Sequence, residues 1–364
     1  MISGIDAAVA FLDGLVNLEY KHKAAILELY DNPADIFKNK YLAVDYLKDN
    51  LSRAAANTFF EAINSGATDE IIDALNRDGV TPVTIFDDNY PTRLKYLDFK
   101  PLCLYAKGDL SLLNSDKTVG IVGSRKTLPE YAALTKNVSE CLSGAGVTVV
   151  TGVAFGADKA AIQGALNSGK IICVTASGFN YLKSEANRDL IEKVIDNGLC
   201  ITEYPPSVPP LAYHYPVRNR IIAGLSDGVL IAGGDRKSGA RHTADYALDY
   251  GVDVMAFPYA VGVTGGELCN SLIKDGAHLV ETSKDVAEIL GVELKNDKND
   301  TITLSDKEKS VYDIIAGGSG NADEILLKTG FKVYELTPIL TMLELKGLIL
   351  KGAGGEYKPV KGRF

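Results

Sequence analysis

The sequence has no tryptophan, only three methionines and four histidines in 364 residues. The histidines are scattered, which leaves a His-based metal centre without support. The five cysteines, Cys103, Cys141, Cys173, Cys200 and Cys269, are odd in number, far apart and form no CxxC. That pattern argues against a disulfide frame or a zinc site and is read as reduced, mostly buried thiols of a cytoplasmic protein. A membrane span needs about 20 predominantly apolar residues. The longest uncharged apolar stretch, residues 141–157, is bounded by Glu140 and Asp158 and holds four glycines, so it is read as a buried strand and its turn. MISGIDAAVAFLDG at the start has no basic region, and no secretory signal is expected. Positive charge is in the minority, with 38 Lys and Arg against 47 Asp and Glu and a net charge of −9. Such a chain does not coat nucleic acid by bulk charge, although a local basic site remains open to it.

What is present is ordinary globular composition, 46% hydrophobic and 23% charged, which excludes global disorder. A length of 364 residues predicts two or three domains. Residues 1–78 carry short amphipathic helical patterns separated by Asn, Pro and Gly. From residue 79 to about 110, two extended runs, VTPVTIFDD and PLCLYAKGD, are read as a connector packed on the next domain. Apolar runs then alternate with helical patterns: TVGIVGS, VTVVTG, IICVTAS, LCITEY, GVLIAGG and DVMAFPY. This alternation predicts an α/β domain over 79–290 with a parallel sheet covered on both faces. Residues 291–304 are a polar linker. Residues 305–364 show three helical patterns and two extended runs, the order of a winged helix. Ser305 and Glu308 have the spacing of a capping box.

In an open parallel sheet, ligands bind outside the carboxyl ends of the strands. The loops there are the informative ones. Gly123-Ser124-Arg125-Lys126 follows the first strand of the alternation. Gly permits close backbone approach, Ser and the following amides donate to phosphate, and Arg125 is a planar cationic fork. The same tetrapeptide also suits a plain turn with two solvated cations. After the second strand, Gly152 and Gly156 permit a tight loop, and Asp158 is expected to cap the helix that follows. Neither GxGxxG nor GxxxxGK[ST] occurs, which disfavours dinucleotide and ATP binding.

The segment after the fourth strand runs through Glu203 and a Pro-rich loop to His214-Tyr215-Pro216-Val217-Arg218-Asn219-Arg220. Residues two apart on a helix point to different faces, so one Arg can face the sheet edge while the other pairs internally. Tyr215 beside cations suits single-stranded nucleic acid, where bases stack and Arg holds the backbone. A proline-braced loop with a structural ion pair is the alternative. His214 is read as an ordinary surface residue, and Glu203 as a structural acceptor for an Arg. Ser238, Gly239 and Thr243 offer a further nest of hydroxyls and amides. Between Asp116 and Glu288 there are 16 Lys and Arg against 19 Asp and Glu, and seven of the 16 fall in three loops: Arg125, Lys126, Arg218, Arg220, Arg236, Lys237 and Arg241. An acidic protein with a cationic rim is a directed anion site. No GxSxG or HExxH is present, so no catalytic set is assigned and the chain is read as a non-enzyme without a cofactor.

GIVGSRK (120–126), TGVAFGAD (151–158), ITEYPPS (201–207), YPVRNRIIAGLS (215–226), SGARHTA (238–244) and LIKDGA (272–277) together resemble the DprA/Smf family of bacterial DNA-processing proteins. The lead-in DDNYPTRLKYLDFKPLCLYAKGD is similar to that family's as well. The resemblance covers about 85–290. It implies an extended Rossmann-like domain between a small helical N-terminal domain and a winged-helix-like C-terminal one. It implies single-stranded DNA as ligand, transfer to the recombinase RecA during natural transformation, and a homodimer formed through the Rossmann-like domain. By position, the DNA-contacting residues are Gly123, Ser124, Arg125 and Lys126, then Arg218, Asn219 and Arg220, with Ser238, Gly239 and Thr243 as secondary contacts. Departures stand at Ile162, where the family usually has His, and at Gly233-Gly234, where it usually has Glu-Ala. Tyr259 replaces an expected Gly, a Gly is expected near Leu268, and Arg241-His242 replaces a more apolar pair. These changes surround the second half of the rim and mark a diverged branch.

The competing function is a nucleotide-binding or nucleoside monophosphate phosphoribohydrolase-like enzyme of a related fold, with Glu203 near a Gly-rich phosphate loop. In the winged-helix-like part, YELTPILTMLELKG has only Lys346 as a cation against Glu335 and Glu344. Protein contact or packing is therefore expected there in preference to duplex DNA.

Overall fold

The computed structural model describes residues 2–15, 17–184, 187–294, 304–352 and 354–360. The chain opens with helix α1 (Gly4–Gly14). Ser3 Oγ accepts from the amide of Asp6, and the Asp6 carboxylate accepts from the amide of Ser3, so two orphan donors are satisfied reciprocally. Helices α2 (Tyr20–Glu28), α3 (Tyr41–Asn50), α4 (Arg53–Asn64) and α5 (Ala67–Arg77) complete the helical part. Its centre is Phe11 of α1, fully buried and edge-on to Phe59 of α4 at 5.9 Å.

Strands β1 (Thr81–Thr84) and β2 (Cys103–Gly108) follow, and then the alternating unit begins. It comprises β3 (Thr118–Val122), α6 (Pro129–Gly144), β4 (Thr148–Thr151), α7 (Ala157–Ala165), β5 (Ile171–Val174), α8 (Arg188–Asn197), β6 (Leu199–Thr202) and α9 (His214–Gly224). It continues through β7 (Gly228–Ile231), α10 (Ala240–Asp249), β8 (Asp253–Ala256), α11 (Glu267–Lys274), β9 (His278–Leu279) and α12 (Ser283–Leu290). The sheet order is β1-β2-β6-β5-β4-β3-β7-β8-β9. Strands β3 to β9 are all parallel. Every residue of β3, β4, β5, β6 and β7 is buried, as a sheet covered on both faces requires.

One edge differs from the sequence reading. Residues 79–110 are no mere connector: β1 pairs antiparallel with β2, and β2 antiparallel with β6. They add two strands to the sheet, and α1 packs against both.

The path of the chain creates a crevice. From β3 it steps outward through β4, β5 and β6, then returns to place β7 on the other side of β3. Connections leaving β3 and β7 turn to opposite sides, so the crevice between their carboxyl ends is the expected ligand position.

The C-terminal part holds α13 (Asp306–Ala316), α14 (Ala322–Thr329), α15 (Val333–Leu345) and a hairpin of β10 (Ile349–Lys351) and β11 (Tyr357–Pro359). The capping box at its start is present: Ser305 Oγ accepts from the Glu308 amide and Glu308 accepts from the Ser305 amide. Of the linker expected at 291–304, residues 295–303 lie outside the described residues. The buried apolar side chains form two separate clusters. One runs from Ala8 to Leu290, joining the N-terminal helices to the sheet. The other lies within Val311 to Ile349.

Candidate functional site

At the crevice three loops meet on glycine backbone. A Cβ on Gly123 would sit 2.8 Å from the Ala157 methyl and 3.1 Å from backbone atoms of Gly233. Gly156 has φ +77°, and a Cβ there would fall 2.2 Å from the Ser124 carbonyl oxygen. The Ala157 amide donates to that same oxygen at 3.2 Å, and Thr127 Oγ1 donates to it at 2.7 Å. Ser124 is therefore held firmly against the start of α7, and Arg125 and Lys126 project into solvent beyond it. The Arg125 guanidinium lies 5.4 Å from the centre of the Tyr215 ring, a cation over an aromatic face.

Asp158 sits beneath this loop, 5% exposed. It is not the cap of α7 that its position in the sequence suggests. The cap position is Gly156, and the Asp158 carboxylate reaches back to accept from the amides of Ala154, at 3.3 Å, and Gly123. Burial pushes its carboxyl up to about 6, while Arg218, those two amides and Arg125 pull it down.

Arg218 and Arg220 require a correction. The resemblance implied DNA contact for both and the helix spacing an internal partner for one, yet both are buried, 4% and 9% exposed. Arg218 Nη1 donates to the Val174 carbonyl and Nε donates to Asn219 Oδ1. A Cβ on Gly152 would lie 2.3 Å from Asp158 Oδ2 and 2.7 Å from Arg218 Nη2, so carboxylate and guanidinium share the space that this glycine leaves. Arg220 pairs with Glu203. The physical reason is that α9 packs against both the sheet and its neighbour α10, so both buried cations need an internal carboxylate or carbonyl. Asn219 is partly exposed and donates from Nδ2 to the Gly239 carbonyl at 3.2 Å, tying α9 to the start of α10. His214 is also buried, against expectation: its ring stacks on Tyr204 at 4.0 Å, Nδ1 contacts the Ala176 carbonyl oxygen, and burial lowers its pKa.

Glu203 does not face the rim. It lines a separate cleft of about 1650 Å³ between the N-terminal helices and α9–α10, with Asp13, Lys23 and Arg220. Burial raises the Glu203 carboxyl against the opposing pull of Arg220, and it pushes Asp13 up to about 6 against Lys23.

Across the crevice, Ser238 and Gly239 stand at the start of α10, with Arg236 and Lys237 exposed just before it. Thr243 does not reach the surface. It is fully buried, and among the described residues its hydroxyl has no hydrogen-bond partner. Arg241 is engaged by Asp245 at 2.9 Å. Of the departures from the family pattern, Gly233, Gly234, Tyr259 and Leu268 pack together. Tyr259 stacks on Tyr131 at 3.6 Å and donates its hydroxyl to the Ala232 carbonyl. A Cβ on Gly233 would meet that hydroxyl at 2.6 Å, and one on Gly266 would meet the ring at 2.1 Å. A Cβ on Gly234 would meet Leu268 at 3.1 Å. Tyr259 and Leu268 thus fill the space beside Gly233, Gly234 and Gly266. Ile162 is simply core, fully buried in α7.

The structure therefore gathers Gly123, Ser124, Arg125 and Lys126 with Tyr215, Ser238 and Gly239 around one crevice, and withdraws Arg218, Arg220 and Thr243 into the interior. Two residues escaped the sequence reading. Asn187 donates to the carbonyls of Val153 and Ala154, at 2.9 and 2.7 Å, and Phe155 is half exposed beside them. Neither follows a periodic pattern, so hydropathy carries no signal for them. Among the described residues no group of three or more His, Cys, Asp or Glu is placed to hold a metal ion, and no helix is long and apolar enough to cross a membrane.

Residues 81–291 match the family model described as DNA recombination-mediator protein A, and residues 296–355 match the DprA winged helix domain. The chain is 38% identical over 206 residues to the DNA processing protein DprA of Streptococcus pneumoniae, covering 56% of this chain and 72% of that one. It is 33% identical over 280 residues to the protein Smf of Escherichia coli, covering 74% and 75%. Among solved structures, DprA of Streptococcus pneumoniae superposes with a TM-score of 0.67 at 29% identity, covering 79% of this chain and 98% of that one. The DNA processing protein A of Helicobacter pylori, described for its single-stranded DNA binding mode, superposes with a TM-score of 0.54 at 26% identity, covering 58% and 95%.

Proposed function

The chain belongs to the DNA recombination-mediator protein A family, and on that premise we propose that it binds single-stranded DNA at the crevice between β3 and β7 and hands it to a recombinase. In this reading residues 79–290 form the DNA-binding unit, flanked by the helical residues 1–78 and the winged-helix-like residues 305–364. The protein protects incoming strands during transformation, helps load RecA, and acts as a homodimer joined through the central unit.

The observation that carries this reading is the placement of charge. Arg125, Lys126, Arg236 and Lys237 are all exposed in the loops after β3 and β7, on a chain whose net charge is −9. Tyr215 supports single strands over duplex, because only unpaired bases offer a free face to an aromatic ring. The relative from Helicobacter pylori supports the same ligand. Arg218 and Arg220 act in this reading as braces that hold α9 in place, and Arg218 also adds positive potential from below.

The test is binding of labelled single-stranded and duplex DNA across a salt series. Single strands are expected to bind tighter, and Arg125→Glu to weaken them on the order of tenfold at low salt with a shallower salt dependence. Arg218→Ala is expected to lower the melting temperature, which Arg125→Glu leaves nearly unchanged. Equal affinity for both DNA forms, or full affinity in Arg125→Glu, would sink the site.

A further inference from the structure

We infer that Phe155 is a base-stacking platform of this crevice, forming with Tyr215 and Arg125 a clamp for successive bases of a single strand. The assignment rests on the single-strand reading above and adds a residue to it. Phe155 is 49% exposed, while Val153 and Ala157 on either side of its loop are buried. The loop that carries it is pinned along its length. The carbonyls of Val153 and Ala154 accept from Asn187, and the Ala154 amide donates to Asp158. Gly156, at φ +77°, lies on the backbone of Ser124 and Arg125, and a Cβ there would come within 2.9 Å of the Arg125 carbonyl.

An isolated exposed apolar side chain is common on any protein and by itself means little. Here the chain holds an aromatic ring out of its own core on a segment with almost no freedom to move. It does so where the backbone touches the residue whose guanidinium covers Tyr215. A cation over one ring, with a second exposed ring on the loop that touches its backbone, suits the alternation of phosphate and base along a single strand. Preorganisation lowers the ordering cost of binding, which is the advantage of a pinned loop over a free one.

The chain has no tryptophan, so Phe155→Trp introduces one that can be excited apart from the 18 tyrosines. Oligo-dT is expected to quench its emission. Phe155→Ala, followed by anisotropy on the full chain, is expected to weaken oligo-dT about tenfold, while an abasic strand of equal length keeps its affinity. Equal weakening of both strands, no weakening of either, or unquenched emission in a complex that anisotropy detects would each overturn the assignment. Failure of the unaltered protein to bind any single strand would overturn the parent reading, and this assignment with it.

Discussion

Asp158 shows how far a residue's role depends on what surrounds it. In the chain it stands at the second position of α7, where a carboxylate normally serves the helix. In the structure it accepts from Gly123 and Ala154 and faces Arg218 and Arg125. Its pKa is about 6 in the folded protein against an ordinary 3.8. The folded state therefore holds the proton more tightly than the unfolded one. The stability this group contributes is full below pH 3.8 and is lost as pH rises through about 6. At about 1.4 kcal/mol per pH unit the loss is on the order of 3 kcal/mol. Asp13 shifts the same way and adds to the same window. Asp158→Asn is expected to reduce the fall in urea midpoint between pH 4 and pH 6.5. An unchanged slope would show that Asp158 is ionised as readily folded as unfolded. Residue identity alone did not separate Arg125 from Arg218 and Arg220: all three are cations in loops or helix starts of one rim. Only the packing of α9 decides which of them meets solvent.

At the scale of elements, the alternation of apolar runs and helical patterns was readable because parallel strands buried on both faces read as nearly continuous apolar runs. The antiparallel edge of β1 and β2 was not, because strands of four and six residues between turns leave too short a pattern. Contacts between helices were equally silent. Gly164 of α7 packs onto α6 so closely that a Cβ would lie 2.3 Å from the Lys136 carbonyl oxygen. Ser139 Oγ of α6 donates to the Ala161 carbonyl beside it. Alanine normally favours a helix over glycine by about 1 kcal/mol. Here the backbone clash is expected to win, so Gly164→Ala should lower the melting temperature by several degrees. It should also weaken single-strand binding, because α7 carries Gly156 and Asp158 at its start. A raised melting temperature would show that the two helices can separate at no cost.

At the scale of the whole molecule, the two apolar clusters predict two units of unfolding. Among the described residues no member of the larger cluster lies beyond Leu290, and its partly buried neighbours end at Leu294. A chain ending at residue 294 should keep the main cooperative transition in calorimetry and lose only the smaller one. Disappearance of the main transition would contradict this. In the winged-helix-like part, Lys346, the cation its third helical pattern ends on, is bonded inward to Glu308 at 2.6 Å. Composition and periodicity were enough to determine an α/β sheet between two helical parts and the loops in which cations concentrate. Those are properties of local pattern, which the order of residues carries directly. The tertiary structure alone decided which cations are free, that Asp158 fills the amides of Gly123 and Ala154, that Phe155 is held into solvent, and that Tyr259 and Leu268 occupy the space beside Gly233, Gly234 and Gly266. Each of these depends on contacts between residues far apart in the chain, where burial and close approach set the outcome and residue type does not.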